Sequence, residues 1–191
     1  MSIFYRFLFP VLWLAWLVYW RVAGRHVKAV QRRESRCSRA SYIVPLLVAI
    51  SLLLIPDVPD HERLFARFLA PSLTSFCLGA LLTLGGLAVS IWARVHLGRN
   101  WSGTVTIKQD HELIRSGPYA RVRHPIYSGL LLAFAGSAIA LGEWRGLLAL
   151  SLVWVAYWRK LRIEERWMQE TFGALYQRYR AETGALIPYP F

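Results

Sequence analysis

The chain has 191 residues, 55% of them hydrophobic, with nine Trp, nine Tyr and nine Phe, and a formal net charge of +12. A mean hydropathy of +0.34 lies above the habit of soluble domains, and it coexists with that charge only if apolar and charged residues are segregated along the chain. Two cysteines, Cys37 and Cys77, imply no disulfide framework, and His26, His61, His96, His111 and His124 hold no close ligand spacing that would point to a metal.

In chain order the apolar segments read as membrane spans. A helix rises about 1.5 Å per residue and the hydrocarbon core is about 30 Å thick, so a span needs about 20 apolar residues. Met1 to Gly24 carries only Arg6 and Arg21 as charges and is the first span. It exceeds a signal-peptide core and no basic region precedes it, so it is expected to be retained. The run Arg32 to Arg39 reads as a solvated loop. Tyr42 to Pro56 and Phe68 to Ala93 are the second and third spans, Pro125 to Gly142 and Gly146 to Trp158 the fourth and fifth. The shorter ones need tilt, interfacial aromatics or snorkelling residues such as Arg159 and Lys160. The turn from Gly142 to Gly146 also permits a re-entrant hairpin in place of spans four and five.

Charge gives the orientation. Arg21 to Arg39, the loop from Arg94 to Arg123, and the region from Arg159 to Arg180 are all rich in basic residues and fall on one side of a five-span chain. The other side holds Arg6, Arg63, Arg67 and Arg145 with Asp57, Asp60, Glu62 and Glu143. The positive-inside tendency therefore puts the amino terminus outside and the carboxyl terminus in the cytoplasm. Topology and anionic headgroups account for these clusters, and no nucleic-acid partner is expected. The predicted fold is all-α, one integral-membrane domain over residues 1–191, with spans one to three in 1–96 and the chemistry in 97–191. Small residues recur in span three at Ser75, Gly79 and Thr83 and in span four at Gly129, Ala133, Gly136 and Ala140. They predict close packing or dimerisation, with a crevice admitting a lipid as the functional alternative.

The segment Leu97 to Tyr127 is long for a connector. Thr104 to Ile107 suits a short extended piece, and Pro118 and Pro125 bias Gly117 and His124 away from helix. Pro125 fits the first turn of a helix, which puts His124 at the cap and the open amides of that turn where they could hold an anion. Beyond span five, Lys160, Glu164 and Met168 share one helical face while Glu165 points about 100° away.

The ordered set Leu97-Gly98, Ser116-Gly117-Pro118-Tyr119, Arg123-His124-Pro125-Ile126-Tyr127-Ser128-Gly129, Glu164-Glu165 with Met168, and Phe172-Gly173 with Tyr176 and Tyr179 resembles the integral-membrane isoprenylcysteine carboxyl methyltransferase family and its phospholipid methyltransferase relatives. The resemblance covers the chain from about residue 97 onward. It implies methyl transfer from S-adenosylmethionine to a lipophilic acceptor at the membrane surface, in a multi-pass membrane protein surrounded by membrane lipids. It implies cofactor binding by His111, Glu112, Leu113, Ile114, Tyr119, His124, Pro125, Ile126, Tyr127 and Glu164. The family places an arginine one helical turn before that glutamate to hold a substrate carboxylate. Here the position is Lys160, with Arg159 beside it for substrate positioning, and lysine cannot reproduce a bidentate clamp.

The residues fit that cofactor on their own chemistry. S-adenosylmethionine presents a carboxylate, an ammonium, a sulfonium and an adenine, which call for donors near His124, a carboxylate such as Glu164, and aromatic faces such as Tyr119, Tyr127 or Trp167. A carboxylate or thiolate acceptor needs no general base. A protonated amine needs one, for which His124 and Glu164 are candidates. Two other readings stay open: a sterol-type membrane reductase using NADPH, which shares a His-Pro-x-Tyr element, and a non-catalytic membrane scaffold.

Overall fold

The computed structural model describes residues 3–25, 27–55 and 62–188, with side chains from residue 7 onward and, in the last segment, from residue 63. His26, His61, Asp57 and Asp60, and the side chains of Arg6 and Glu62, lie outside the described residues. Seven α-helices carry most of the described chain: α1 (Ile3–Ala23), α2 (Arg36–Leu54), α3 (Glu62–Phe65), α4 (Leu73–Leu97), α5 (Pro125–Leu141), α6 (Trp144–Phe172) and α7 (Ala174–Glu182). Two strands, β1 (Val30–Arg33) and β2 (Thr106–Lys108), pair antiparallel, with Arg33 opposite Thr106 and Arg32 opposite Ile107. The fold is thus mostly helical, with one small two-stranded sheet among the described residues, whose β2 overlaps the extended piece expected at Thr104 to Ile107. Two helices, Arg36–Leu54 and the helical stretch Leu73–Asn100, are long and apolar enough to cross a membrane; Phe7–Ala23 and Pro125–Leu141 are shorter apolar helices.

Local chemistry fixes the helix ends. The Ser35 side chain accepts the Ser38 amide at 3.2 Å and starts α2, six residues earlier than the apolar run alone implies. Ser72 and Ser75 form a reciprocal capping box at the start of α4, which sets its first turn after Phe68 to Ala70 rather than within them. His124 caps α5 with Pro125 in its first turn. Gly142 then ends α5 in the left-handed region at φ 67°, and Glu143 begins α6 directly after it.

The bundle is organised by two close pairs, α4 on α5 and α2 on α6, joined through α5 on α6, with α1 lying against α4. The α4–α5 contact is made by backbone. A Cβ built on Gly79 would lie 2.5 Å from the Gly136 carbonyl oxygen, and one on Gly129 2.5 Å from that of Gly86. Between these crossings the Thr83 hydroxyl donates to the Ala133 carbonyl at 3.2 Å. The α5 ridge of Gly129, Ala133, Gly136 and Ala140 is the packing face the sequence predicts; on α4 the face is Gly79, Thr83, Gly86 and Ser90, and Ser75 serves the cap instead. These contacts close the crevice that small residues could have left between the two helices. Polar pins hold α1 to them: Trp13 Nε1 donates to Ser137 Oγ at 3.1 Å and Trp16 Nε1 to Ser90 Oγ at 2.9 Å.

The stretch from Arg32 to Arg39 is not a solvated loop. It supplies the end of β1, the buried Glu34 and the first turn of α2. Glu34 accepts the Val105 amide at 3.0 Å, the Ser38 hydroxyl at 2.9 Å and the Tyr42 hydroxyl, so it staples the α1–α2 connection to the long loop. At the same end, residues 184–186 run beside the start of α5: Arg123 N donates to Gly184 O at 2.9 Å, His124 N to Ala185 O at 3.0 Å and Ser128 Oγ to Leu186 O at 2.5 Å. Tyr179 Oη donates to the Tyr119 carbonyl at 2.6 Å, seating α7 under the loop. Cys37 and Cys77 are free and exposed.

Candidate functional site

A cavity of about 300 Å³ opens where this end of the bundle meets the 97–127 loop. One wall is the face of α6 carrying Lys160, Glu164 and Met168, brought into line by their four-residue spacing on a continuous helix. The cap and first turn of α5 add His124, Ile126 and Tyr127, and the loop adds His111, Glu112, Leu113, Ile114 and Tyr119. Of the residues singled out in the sequence, Pro125 is buried but not among the lining residues. Arg159 is exposed and stands outside the cavity, because its helical position faces away from the Lys160 side. Trp167 is not among the lining residues either; its ring lies under the Arg32 guanidinium, 4.2 Å away.

Glu164 is the centre of the polar wall. Tyr127 Oη donates to its Oε1 at 2.6 Å, His124 Nδ1 lies 3.5 Å from Oε2, and Lys160 Nζ lies 4.0 Å from Oε1. Burial pushes the Glu164 carboxyl up, but the His124, Lys160 and Tyr127 contacts outweigh it and hold the group below its ordinary value, ionised at neutral pH. His124 is pulled both ways as well: burial disfavours its charged form, and Glu164 and Glu165 together raise it above the usual imidazole value. Its ring stacks on Tyr127 at 5.4 Å and 7°, and Tyr127 stacks on Tyr157 at 4.8 Å and 12°. Three parallel rings therefore set the orientation of the Tyr127 hydroxyl.

Glu165 lies off the Lys160, Glu164 and Met168 face, as helical spacing predicts. It is buried behind His124, with Oε1 3.4 Å from His124 Nε2, and accepts the Arg123 guanidinium at 2.7 Å while Arg180 stands 3.7 Å from Oε2. Burial raises its carboxyl, and His124 and Arg123 lower it by more, to about 2. Arg123 is itself fixed by donating to the Arg180 carbonyl at 3.2 Å and to the Thr183 carbonyl. The second glutamate thus positions His124 and ties α5, α6 and α7 together.

Lys160 is 7% exposed, and its Nζ donates to the Gly103 carbonyl at 2.8 Å. The Tyr42 and Tyr127 ring centres lie 5.3 and 5.4 Å from it. Burial lowers its ammonium, and the Glu164 and Glu34 charges only partly restore it, leaving it below the usual lysine value.

On the loop side, His111 Nδ1 accepts the Lys108 amide at 3.2 Å, and burial followed by the Lys28 and Lys108 charges keeps the imidazole below its ordinary value. Glu112 accepts Asn100 Nδ2 at 3.2 Å and faces Lys28 at 3.7 Å. Asn100 Oδ1 and Thr106 Oγ1 are buried without a hydrogen-bond partner among the described residues, and both residues line the cavity. Buried polar atoms are almost always paired, so these two are suited to a ligand's donors.

Sequence reasoning missed several lining or supporting residues. Trp16 and Trp20 from α1, stacked at 4.5 Å, and Leu46 from α2 line the cavity, although those helices carry no recognisable motif. Trp101, Tyr157 and Asn100 line it as well. A signal existed for Glu34, the one acidic residue between Arg21 and Arg39; nothing local marks the tryptophans.

With this geometry in view, comparison with known proteins gives a consistent result. The model of the phospholipid methyltransferase family matches residues 74–175, more than half of the chain. Protein-S-isoprenylcysteine O-methyltransferase of Schizosaccharomyces pombe is 32% identical over 128 residues, covering 65% of this chain and 51% of that protein. The protein of the same name from Saccharomyces cerevisiae is 31% identical over 139 residues, covering 71% and 56%. Cobalt-zinc-cadmium resistance protein CzcN of Cupriavidus metallidurans is 31% identical over 143 residues, covering 74% and 61%. The chain spans a little over half the length of these curated relatives. The matched region runs from the α4 packing face to the first residues of α7 and so contains both glutamates, the His124 cap and the Tyr127 stack. The chain belongs to the phospholipid methyltransferase family, in the company of the protein-S-isoprenylcysteine O-methyltransferases.

Proposed function

We propose that the protein is an integral-membrane methyltransferase that takes its methyl group from S-adenosylmethionine and passes it to a lipophilic acceptor at the membrane–cytosol interface. The observation that carries this reading is the Glu164 carboxylate, held ionised by Tyr127 and His124 inside a cavity that several tryptophan and tyrosine rings line. That combination suits a ligand bearing an ammonium and a sulfonium, which need one buried anion and several π-faces.

The donor set is a fit for the cofactor. Glu164 would receive the ammonium, with the orphaned Asn100 Oδ1 and Thr106 Oγ1 open to further donors. His124 and the first turn of α5 would face the carboxylate, and Tyr119 and Trp101 would flank the apolar parts, with His111, Glu112, Leu113 and Ile114 forming the loop wall. When bound, the cofactor supplies an already activated methyl group. What remains for these side chains is to align the acceptor and exclude water. Lys160, on the same α6 face, would meet the acceptor; exposed Arg159 would act only at the rim.

The membrane reading puts α1, α2, α4, α5 and the first half of α6 across the bilayer as five spans within one domain of 1–191, with the amino terminus outside. Its support is that the carboxyl ends of α1 and α4, the start of α2 and the start of α5 all reach the cavity end of the bundle, where the basic segments also lie. At 29 residues α6 is about 43 Å long, more than a bilayer core, so its second half extends past the membrane and carries Glu164 within reach of a soluble cofactor.

Calorimetric titration of the purified protein with S-adenosylmethionine and with NADPH tests the reading. Saturable binding of S-adenosylmethionine alone is expected. Binding of NADPH alone would replace it with the reductase, and binding of neither with the scaffold. Transfer of labelled methyl to a panel of prenylcysteine, phosphatidylethanolamine and isoprenoid acids then identifies the acceptor.

A further inference from the structure

The acceptor side of the cavity differs in chemistry from a carboxylate clamp. Lys160 Nζ is a single nitrogen, anchored by the Gly103 carbonyl at 2.8 Å and faced by the Tyr42 and Tyr127 rings. Two carboxylates already address it: Glu164 at 4.0 Å on its own helix, and Glu34, which accepts the Tyr42 hydroxyl on the α2 side. The neighbouring cations are committed elsewhere. Arg162 lies over Trp158 at 5.6 Å on the exposed side of α6, and Arg123 and Arg180 serve Glu165. A carboxylate acceptor brought to Lys160 would be a third carboxylate beside Glu164 and Glu34, with no planar fork to grip it. A neutral acceptor carrying a proton meets no such repulsion.

We propose that Lys160 is the catalytic base for an acceptor that enters as a lipophilic phenol or thiol, and that the Gly103 carbonyl and Glu164 hold its nitrogen for that task. This rests on the methyl-transfer reading above. Phenols, thiols and lysine ammonium groups have similar acidities in water, about 10, 8.5 and 10.4, so the transfer is close to balanced. Burial favours the uncharged amine that can accept the proton. The proton passes from the acceptor's oxygen or sulfur to Lys160 Nζ, and the electron pair left behind forms the new bond to the methyl carbon. The carbon–sulfur bond of the sulfonium breaks with its pair going to sulfur, leaving a thioether. The new ammonium faces Glu164 and loses its proton to water when the products leave. One proton is released per methyl transferred, whereas a carboxylate acceptor releases none. The titratable groups around Lys160 are Glu164 and Tyr157 on α6, Glu34 and Tyr42 on the β1–α2 side and Tyr127 on α5, with His124 behind Glu164.

Four acceptors with the same prenyl tail and a phenol, thiol, amine or carboxylate head would be offered with labelled S-adenosylmethionine in weakly buffered, indicator-containing vesicle suspensions. The phenol or the thiol is expected to turn over fastest, with one proton appearing per methyl. Lys160→Met and Lys160→Arg are expected to lower kcat on that acceptor by about 100-fold, the ordinary reach of a general base, with a single monodisperse elution peak in detergent and still-saturable S-adenosylmethionine binding as evidence of folding. The loss should shrink below about tenfold on a nitro-substituted phenol already ionised at the assay pH, which no longer needs the base. Preference for the carboxylate or the amine, or a Lys160→Arg variant with the parent kcat, would overturn the assignment. Failure of the parent protein to bind S-adenosylmethionine would instead overturn the methyl-transfer reading itself.

Discussion

The Tyr127 hydroxyl donates to Glu164 at 2.6 Å from the centre of a three-ring stack, so the first turn of α5 and the second half of α6 are joined at the point where the cavity needs a fixed negative charge. Glu164→Ala is expected to weaken S-adenosylmethionine binding at least tenfold, about 1.4 kcal/mol. His124→Ala should do likewise by releasing the carboxylate it faces. Tyr127→Phe keeps the stack and removes one donor, so its effect should be smaller than either. Isothermal titration on solubilised protein measures all three, and parent-like affinity in both alanine variants would show that the site lies elsewhere.

The Arg123–Glu165 pair, at 2.7 Å and nearly dry on both sides, makes a separate prediction about stability. Removing one partner leaves the other charged and buried, which typically costs about 3–5 kcal/mol. Glu165→Gln and Arg123→Met should each lower the thermal midpoint strongly, and the double variant should cost less than the sum. The Glu165 carboxyl is depressed in the fold to about 2 from an ordinary 4.5, so its contribution is complete above that ordinary value and is lost as pH falls toward about 2. Thermal scans between pH 6 and pH 3 should show an acid loss in the parent that is shallower in Glu165→Gln.

Much of this arrangement was legible in the sequence, for physical reasons that also mark where legibility stopped. Helical spacing placed Lys160, Glu164 and Met168 on one face, and Pro125 located the start of α5, because both depend on residues within a turn of one another. The same spacing put Glu165 about 100° off that face but could not tell what it meets there, since periodicity along α6 carries no knowledge of Arg123 and Arg180 arriving from other elements. Trp16 and Trp20 come from a helix whose apolar residues are all alike to a hydropathy argument; only the indole bonds of Trp13 and Trp16 to Ser137 and Ser90 decide which face turns inward. Glu34 was lost in a basic run because a strand pairing across more than 70 residues is what buries it.

His124 carries a pH dependence of the opposite sign. Its folded value is raised by Glu164 and Glu165 in spite of burial, so its stabilising contribution is complete below the ordinary imidazole value and is lost as pH rises through the folded one. The parent should therefore lose thermal stability between pH 6 and pH 9 by an increment absent from His124→Gln. Equal slopes in the two proteins would mean that the imidazole stays neutral in the fold.

The α4–α5 contact can be tested with two adjacent glycines of the same helix. A Cβ added at Gly86 meets the Ala133 amide nitrogen at 2.5 Å, and that neighbour is backbone in a packed helix, unable to move aside without displacing α5. A Cβ at Gly85 meets nothing within 4 Å, because that residue is exposed on the far side of α4. Gly86→Ala should thus cost about 1–3 kcal/mol through overpacking, and because α5 carries His124 and Tyr127 it should also weaken cofactor binding. Gly85→Ala should be neutral or stabilising by up to about 1 kcal/mol, the helix-propensity difference between the two residues. Thermal midpoints of the two variants in the same detergent decide it. Similar losses in both would attribute the effect to glycine's role along the helix rather than to the crossing, and would remove the reason for reading Gly79, Gly86, Gly129 and Gly136 as one interface.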